Sequence, residues 1–225
     1  GDPDAGLLGL AELADVTRNV CAVSGAMPII VDVDTGFGGP ANVQRTLEVI
    51  ARAGAGGVSI EDQVHPKRCS FASGVRVERR AEALARVAAA VAARDELRAR
   101  GDEDIVVIAR TDARSADKGE EGLEEALFRC AAFESLGADI VYFEGPQSLA
   151  EMHLLHERVG NVPTMLAQAP GVAGAPVLTP EEAGAVGFAL LLHGVTPLMA
   201  AAAAVGDALD ALRAEGVAPA GEGRL

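Results

Sequence analysis

The sequence predicts a parallel α/β fold built around one sheet. Three observations carry that expectation. Short apolar runs recur six times along the 225 residues, and stretches of helical period separate them, which is the alternation a parallel sheet requires. The runs are continuous rather than alternating, as in strands covered on both faces. Nearly every run also ends in a polar residue: Asp32 and Asp34, Glu61, Arg110, Glu144, Gln168 and His193.

The elements follow in order. Residues 1–9 read as a loop, with Asp2 and Asp4 around Pro3. Leu10, Leu13, Val16 and Val20 have helical spacing and predict a helix over 10–23. Cys21 lies beside that stripe and reads as a small core residue. A strand is expected over 28–33, then the Gly-rich turn Thr35–Gly39, then a helix over 42–53 with Val43, Leu47 and Ile50 on one face. A second strand over 57–61 leads into a polar loop that carries Lys67, Arg68 and Cys69. A long Ala-rich helix (78–100) precedes a third strand (104–109). Leu123, Leu127 and Cys130 align along a helix over 120–136. There follow a strand (139–143), a helix (148–159), a strand (163–167), a short helix (180–185), a strand (188–192) and a last helix (196–214). His153 and His156 are expected on an outward helix surface, and the Pro/Gly-rich tail from Gly216 is expected to be loose. No charge run or linker divides the chain, so residues 1–225 are read as one domain. Two closures fit: an open doubly wound sheet, or a (β/α)8 barrel that lacks two strand units. Periodicity does not choose between them.

Composition narrows the function. Hydrophobic residues make up 49% and aromatics 3%, so aliphatic side chains must fill the core. A net charge of −14 argues against a nucleic-acid partner, whose phosphates would repel it. No basic run suggests a membrane surface, and the Ala-rich run near Ala200 is broken by Gly206 and Asp207 before it could span a bilayer. Three cysteines fit neither a disulfide framework nor a zinc spacing. A reducing compartment, and with no signal-like opening segment a cytoplasmic location, is expected.

Parallel strands would bring their polar ends to one face, where such folds place active sites. Asp32 and Asp34 share one side of a strand. With Glu61 they form a hard oxygen set suited to Mg²⁺, because clustered carboxylates need a cation or a proton between them. Ion pairs to Lys or Arg are the alternative. Arg110 has the fork to grip a substrate carboxylate, or to pair with Glu144 or Asp112. The Thr35–Gly39 turn lacks a dinucleotide spacing and reads as a bend that leaves room for a ligand. Cys69 follows two cations, which suits a general acid/base or a nucleophile. A plain surface thiol is the alternative. For His193, a strand-end hydrogen bond weighs evenly against a site role.

Taken together and in order, VDVDTGFGG, SIEDQVHPKRCSF, IARTDA and GADIVYFE resemble the isocitrate lyase / phosphoenolpyruvate mutase superfamily, in its methylisocitrate lyase-like and carboxyvinyl-carboxyphosphonate phosphorylmutase-like branch. The resemblance covers residues 1 to about 216. It implies a (β/α)8 TIM barrel, a homotetramer (a dimer of dimers), Mg²⁺ or Mn²⁺, and an α-oxo or α-hydroxy acid substrate. By position it implies Asp32, Asp34, Glu61 and Asp4 as the metal set, direct or through water. It places Arg110, Glu144, Gln168, Ser70, Thr35 and Gly36 around the substrate. It makes Lys67, Arg68 and Cys69 a catalytic gating loop, with Cys69 as the general acid of a carbon–carbon lyase. Members that act on carbon–phosphorus bonds commonly lack this Cys.

Several positions depart from the pattern. Ser70 and Phe71 stand where lyases have Gly-His, Ser59 where many members have His, and Gln168 where the pocket has Asn. Met199 replaces an Arg used for an extra carboxylate, so a dicarboxylate or phosphonate-like acid is expected rather than a tricarboxylate. Phosphonate chemistry, oxaloacetate hydrolysis and a non-catalytic acid-binding barrel are the alternatives. The family also has two strand units before residue 1 and a C-terminal helical region. The chain is therefore expected to be an incomplete barrel with two exposed sheet edges.

Overall fold

The computed structural model describes residues 3–102, 104–168 and 177–217. The chain runs α1 (Leu10–Ser24), β1 (Ile30–Asp32), α2 (Pro40–Arg52), β2 (Gly57–Glu61), α3 (Arg80–Arg100), β3 (Val106–Thr111), α4 (Ala113–Ala116), α5 (Glu120–Ser135), β4 (Ile140–Phe143), α6 (Leu149–Arg158), β5 (Thr164–Ala167), α7 (Pro180–Val186), β6 (Leu190–Leu192) and α8 (Thr196–Glu215). The tail beyond residue 217 lies outside the described residues.

All strand pairs are parallel, and the sheet order is β1-β2-β3-β4-β5-β6. This order decides between the two closures. A doubly wound sheet reverses its strand order at a switch point, which puts helices on both faces. A strictly sequential order with right-handed crossovers puts every helix on one face and curls the sheet toward a barrel. Among the described residues the curl stops at six strands, and β1 and β6 each pair on one side only.

The period of two sorts each strand's side chains. Val58, Ile60, Val107, Ala109, Val141, Phe143 and Leu166 point outward, into the main core with Leu47, Ile50, Leu97, Leu127, Phe133 and Leu155 from the helices. Ile108, Ile140, Tyr142 and Met165 point inward and form a second, smaller cluster. Both faces of the central strands are thus covered. β2 is buried at all five positions, the polar Ser59 and Glu61 on its inward face included.

Local signals set the ends of the helices. Pro40 opens α2 at a position where its missing N–H costs nothing. Ser148 caps α6 by accepting from the Glu151 N–H, and Thr179 and Glu182 form a reciprocal capping box on α7. Three differences from the expected elements bear on the site. β3 extends to Thr111, because Arg110 and Thr111 stay in register with Tyr142 and Phe143. The extra turn α4 follows it directly. β1 is shorter than expected, and Asp34 beyond it takes a left-handed φ of 50°. α8 buries none of its 20 residues. Among the described residues no helix is long and apolar enough to cross a membrane.

Candidate active site at the strand ends

The inward side chains at the carboxyl ends of β1 to β4 are Asp32, Glu61, Arg110 and Tyr142, with Glu144 just beyond. Register brings them together: Asp32 lies beside Ser59, Glu61 beside Arg110, and Arg110 beside Tyr142. The β1 end is tied down locally. The Asp34 N–H donates to the Asp32 carboxylate (3.0 Å), and the Glu61 N–H donates to the Asp34 carbonyl (2.9 Å). Aspartate is one of the few residues that tolerate the left-handed backbone at this position.

Thr35 and Gly36 lie buried beneath this turn. Gly36 has φ of 82°, and a Cβ there would come within 2.5 Å of Val43, so the tight turn depends on glycine. Its carbonyl accepts from the Thr46 hydroxyl at 3.1 Å. Both residues therefore shape the floor under Asp34. A cavity of about 440 Å³ opens above it, lined by Asp4, Asp32, Asp34, Phe37, Leu8 and Leu13 among others.

The loop after β2 folds back over these ends. Lys67 is almost fully buried, and its ammonium lies 2.6 Å from Asp4, 2.7 Å from Asp34 and 3.9 Å from Glu61. Burial works against the ammonium. Glu61, Asp34 and Asp4 outweigh that effect and hold its pKa above the ordinary value. The ion-pair alternative foreseen for the aspartates is thus realised through a lysine of the loop itself. Three residues on, the Ser70 hydroxyl donates to Glu144 at 3.0 Å. Cys69, half-buried, is held between these two anchors. Arg68 is exposed, and its guanidinium donates to the Ser73 carbonyl.

Glu61 is the least satisfied group. Its side chain is fully buried, and neither oxygen has a hydrogen-bond partner; Arg110 Nε stays 3.5 Å away. Burial pushes its carboxyl up to about 9, against the pull of Arg110. A buried carboxyl in this state calls for a cation or a proton. The surrounding donors are all carboxylate oxygens, the chemistry of a hard divalent cation. Among the described residues no three such side chains converge closely enough to hold a metal directly. The spread carboxylates beside an open cavity fit a cation that keeps most of its water.

Arg110 is forked onto Asp112 through Nε (2.9 Å) and the terminal nitrogen (2.8 Å), and its guanidinium lies 5.1 Å from the Tyr142 ring centre. Burial opposes its charge, but Asp112, Tyr142 and Glu144 raise its pKa well above that of an ordinary arginine. Among the described residues its other terminal nitrogen makes no hydrogen bond and stands 3.9 Å from Asp32, which leaves that edge open to an anion. Tyr142 donates a short hydrogen bond to Glu144. Burial, and then Glu144, push the phenol well above its usual range, so it remains a donor. Burial also raises the Glu144 carboxyl, with Arg110 opposing.

Gln168, implied around the substrate, and His193, left open between a strand-end bond and a site role, lie apart from this cluster at the ends of the chain's later strands. Gln168 is buried, but both ends of its amide are taken by the Leu178 backbone: Nε2 donates to the carbonyl (2.9 Å) and Oε1 accepts from the N–H (2.5 Å). His193 is exposed just beyond the end of β6. Sequence reasoning overlooked Tyr142, although it lies two residues before Glu144 and so on the same face. It also overlooked Gln63, whose only sequence signal is its place directly after the strand-end acids.

The phosphoenolpyruvate phosphomutase family model matches residues 1–213. The chain is 38% identical over 216 residues to the chloroplastic carboxyvinyl-carboxyphosphonate phosphorylmutase of Arabidopsis thaliana, covering 96% of this chain and 61% of that one. It is 32% identical over 213 residues to 2,3-dimethylmalate lyase of Eubacterium barkeri, covering 95% and 69%. Among solved structures, oxaloacetate acetylhydrolase in complex with 3,3-difluorooxalacetate superposes with a TM-score of 0.90 at 35% identity, covering all of this chain and 73% of that one. The chain thus spans about three fifths of the length of its plant relative.

Proposed function

We propose, for a chain that belongs to the phosphoenolpyruvate mutase / isocitrate lyase superfamily, a Mg²⁺-dependent carbon–carbon lyase that cleaves a 2-hydroxy or 2-oxo dicarboxylic acid and releases an α-oxo acid such as pyruvate or glyoxylate. The observation that carries this reading is the loop after β2. It reaches the carboxylate cluster through Lys67 and Glu144 through Ser70, with Cys69 between these two anchors in the chain.

In this reading the open edge of Arg110 binds the substrate carboxylate, and the Asp112 fork keeps the guanidinium in plane. Asp32, Asp34, Glu61 and Asp4 would hold Mg²⁺ largely through water; Mn²⁺ suits the same oxygens. When bound, the metal supplies Lewis-acid stabilisation of the oxyanion that develops on the substrate. A carboxylate of the cluster takes the hydroxyl proton as the C2–C3 bond breaks and the new carbonyl forms. The bond pair stays with the departing carboxylate as its enolate, and the Cys69 thiol donates a proton to that carbon. The closed loop keeps water from the enolate. Lys67 and Arg68 belong to this loop, and Lys67 balances the charge of Asp4, Asp34 and Glu61. The partner is a small acid, with no nucleic acid or membrane, and the assembly is a cytoplasmic homotetramer.

A second reading, oxaloacetate hydrolysis, is favoured by the likeness to oxaloacetate acetylhydrolase. Water would then attack the oxo carbon, and Ser70 on Glu144 would help to place the substrate. A panel of 2,3-dimethylmalate, 2-methylisocitrate, oxaloacetate and phosphonopyruvate separates these readings, with products identified with and without EDTA. The lyase reading expects EDTA-sensitive release of an α-oxo acid and its loss in Cys69→Ser. Oxalate and acetate from oxaloacetate, with Cys69→Ser unaffected, would move the assignment to hydrolysis.

A further inference from the structure

We infer that Gln63 is the positioning residue of the Lys67–Ser70 loop. Its side-chain amide makes a two-point clamp on the backbone of Arg68: Nε2 donates to the Arg68 carbonyl (2.9 Å) and Oε1 accepts from the Arg68 N–H (3.0 Å). A primary amide has one donor face and one acceptor face. It can satisfy both backbone groups of one residue at once, which neither an ionised Glu nor a Met can do.

The clamp has a rigid base. Gln63 is buried, at 1% exposure, and its own carbonyl accepts from Arg86 at 2.9 Å. Gln63 also bridges Val77 on the returning chain, where the Val64 N–H donates to the Arg76 carbonyl at 2.9 Å. Just before it, Asp62 is fixed by Arg129 (2.9 Å). These contacts close the base of the loop and leave its middle to be placed. Within the loop the Ala72 N–H bonds back to the Cys69 carbonyl at 2.8 Å, and Arg68 bonds to the Ser73 carbonyl, so the tip is tied together as a unit. Gln63 grips that unit at Arg68, between Lys67 on one side and Cys69 and Ser70 on the other. One buried side chain therefore sets whether Lys67 reaches Asp4 and Asp34 and whether Ser70 reaches Glu144.

This deepens the reading of Cys69 as a proton donor and rests on it for its functional meaning. The test does not use turnover, so the clamp and the lyase reading fail separately. The chain carries its own controls: Cys69 lies in the loop, while Cys130 is buried in α5 and reacts only when the fold opens. Labelling rates of each thiol with iodoacetamide, read by peptide mass, report loop opening and global opening in one experiment. Trypsin cleavage after Lys67 or Arg68 reports the same loop motion. Gln63→Met keeps the size and removes both bonds. It is expected to raise Cys69 labelling and loop cleavage by about tenfold or more, the loss of two backbone hydrogen bonds, with Cys130 unchanged. Gln63→Leu removes the same two bonds with a branched apolar side chain and is expected to match Gln63→Met. It also serves if the methionine variant does not fold. Unchanged Cys69 labelling in either variant overturns the proposal. So does a rise in Cys69 matched by an equal rise in Cys130, which would make Gln63 a residue of general stability.

Discussion

Ser70 and Glu144 stand 74 positions apart in the chain and meet through a 3.0 Å hydrogen bond at the mouth of the sheet. The bond joins the loop after β2 to the end of β4. Lys67 joins the same loop to the β1 end. The loop is thus docked at both sides of the strand-end cluster, with Cys69 between.

Ser70→Ala removes the first dock and leaves the Tyr142 bond to Glu144 in place. A hydrogen bond to a carboxylate that burial holds toward its neutral form should contribute about 1 kcal/mol. A double-mutant cycle of Ser70→Ala with Glu144→Gln, measured by urea unfolding, should therefore show coupling of about that size. Strict additivity would mean that the contact contributes nothing in solution.

Arg110 offers the sharpest test of acid binding. Its Nε and one terminal nitrogen are committed to Asp112, and the other edge is open. Arg110→Lys keeps the charge but loses the fork, so it cannot hold Asp112 and an incoming carboxylate together. Oxalate serves as the probe, titrated calorimetrically with Mg²⁺ present. Its affinity should fall by about ten- to a hundredfold, the range for one charge-assisted bidentate contact. Equal affinity in both proteins would remove Arg110 from the binding face.

Asp32, Glu61, Glu144 and Arg110 stood out because each ends or directly follows an apolar run, and a parallel sheet gathers such ends on one face; Asp4 entered through the resemblance alone. The order of the sheet was not legible, since periodicity within a strand carries nothing about its neighbour. Tyr142 was readable in principle from its spacing to Glu144, but it was hidden inside a run that looked purely apolar. Asp112 was already foreseen as a partner for Arg110, whereas the clamp of Gln63 on Arg68 and the hold of Gln168 on Leu178 were beyond reach for a different reason. Those two roles depend on a long side chain finding backbone partners in the folded chain, and residue type alone does not name that partner. Lys67 shows the same limit: its presence in the loop was plain, but its insertion among the acids was not.

His156 was expected on the surface, and the structure half-buries it. Its ring stands edge-on to Phe188, with centres 4.9 Å apart, and its Nε2 is buried without a hydrogen-bond partner. Burial, and then His153, lower its pKa below 6.5. The unfolded chain therefore binds the proton more readily than the folded one. That contribution to stability is complete above the ordinary histidine value and is lost as pH falls below it toward the folded pKa. Unfolding midpoints in urea between pH 7.5 and 5 should decline less steeply in His156→Leu than in wild type. Parallel pH curves for the two proteins would show that His156 titrates as an ordinary surface group.

The largest stability effect should come from Arg129. It reaches from α5 to Asp62 at 2.9 Å, with both side chains almost fully buried, and also donates to the Glu78 carbonyl at 2.7 Å. The other oxygen of Asp62 accepts from the Asp112 N–H at 2.9 Å, so the pair supports the residue that orients Arg110. Arg129→Met leaves the Asp62 carboxyl buried without its cation, and burial together with Asp112 already raises that carboxyl's pKa. Breaking a buried pair from one side costs about 3–5 kcal/mol. Asp62→Asn combined with Arg129→Met removes the stranded charge and keeps an acceptor for the Asp112 N–H. The double variant should therefore be more stable than Arg129→Met alone, although it carries one more substitution. Urea denaturation of the three proteins checks the order. A single Arg129→Met cost below about 0.5 kcal/mol, the scale of a surface change, would show that the pair is not buried in solution.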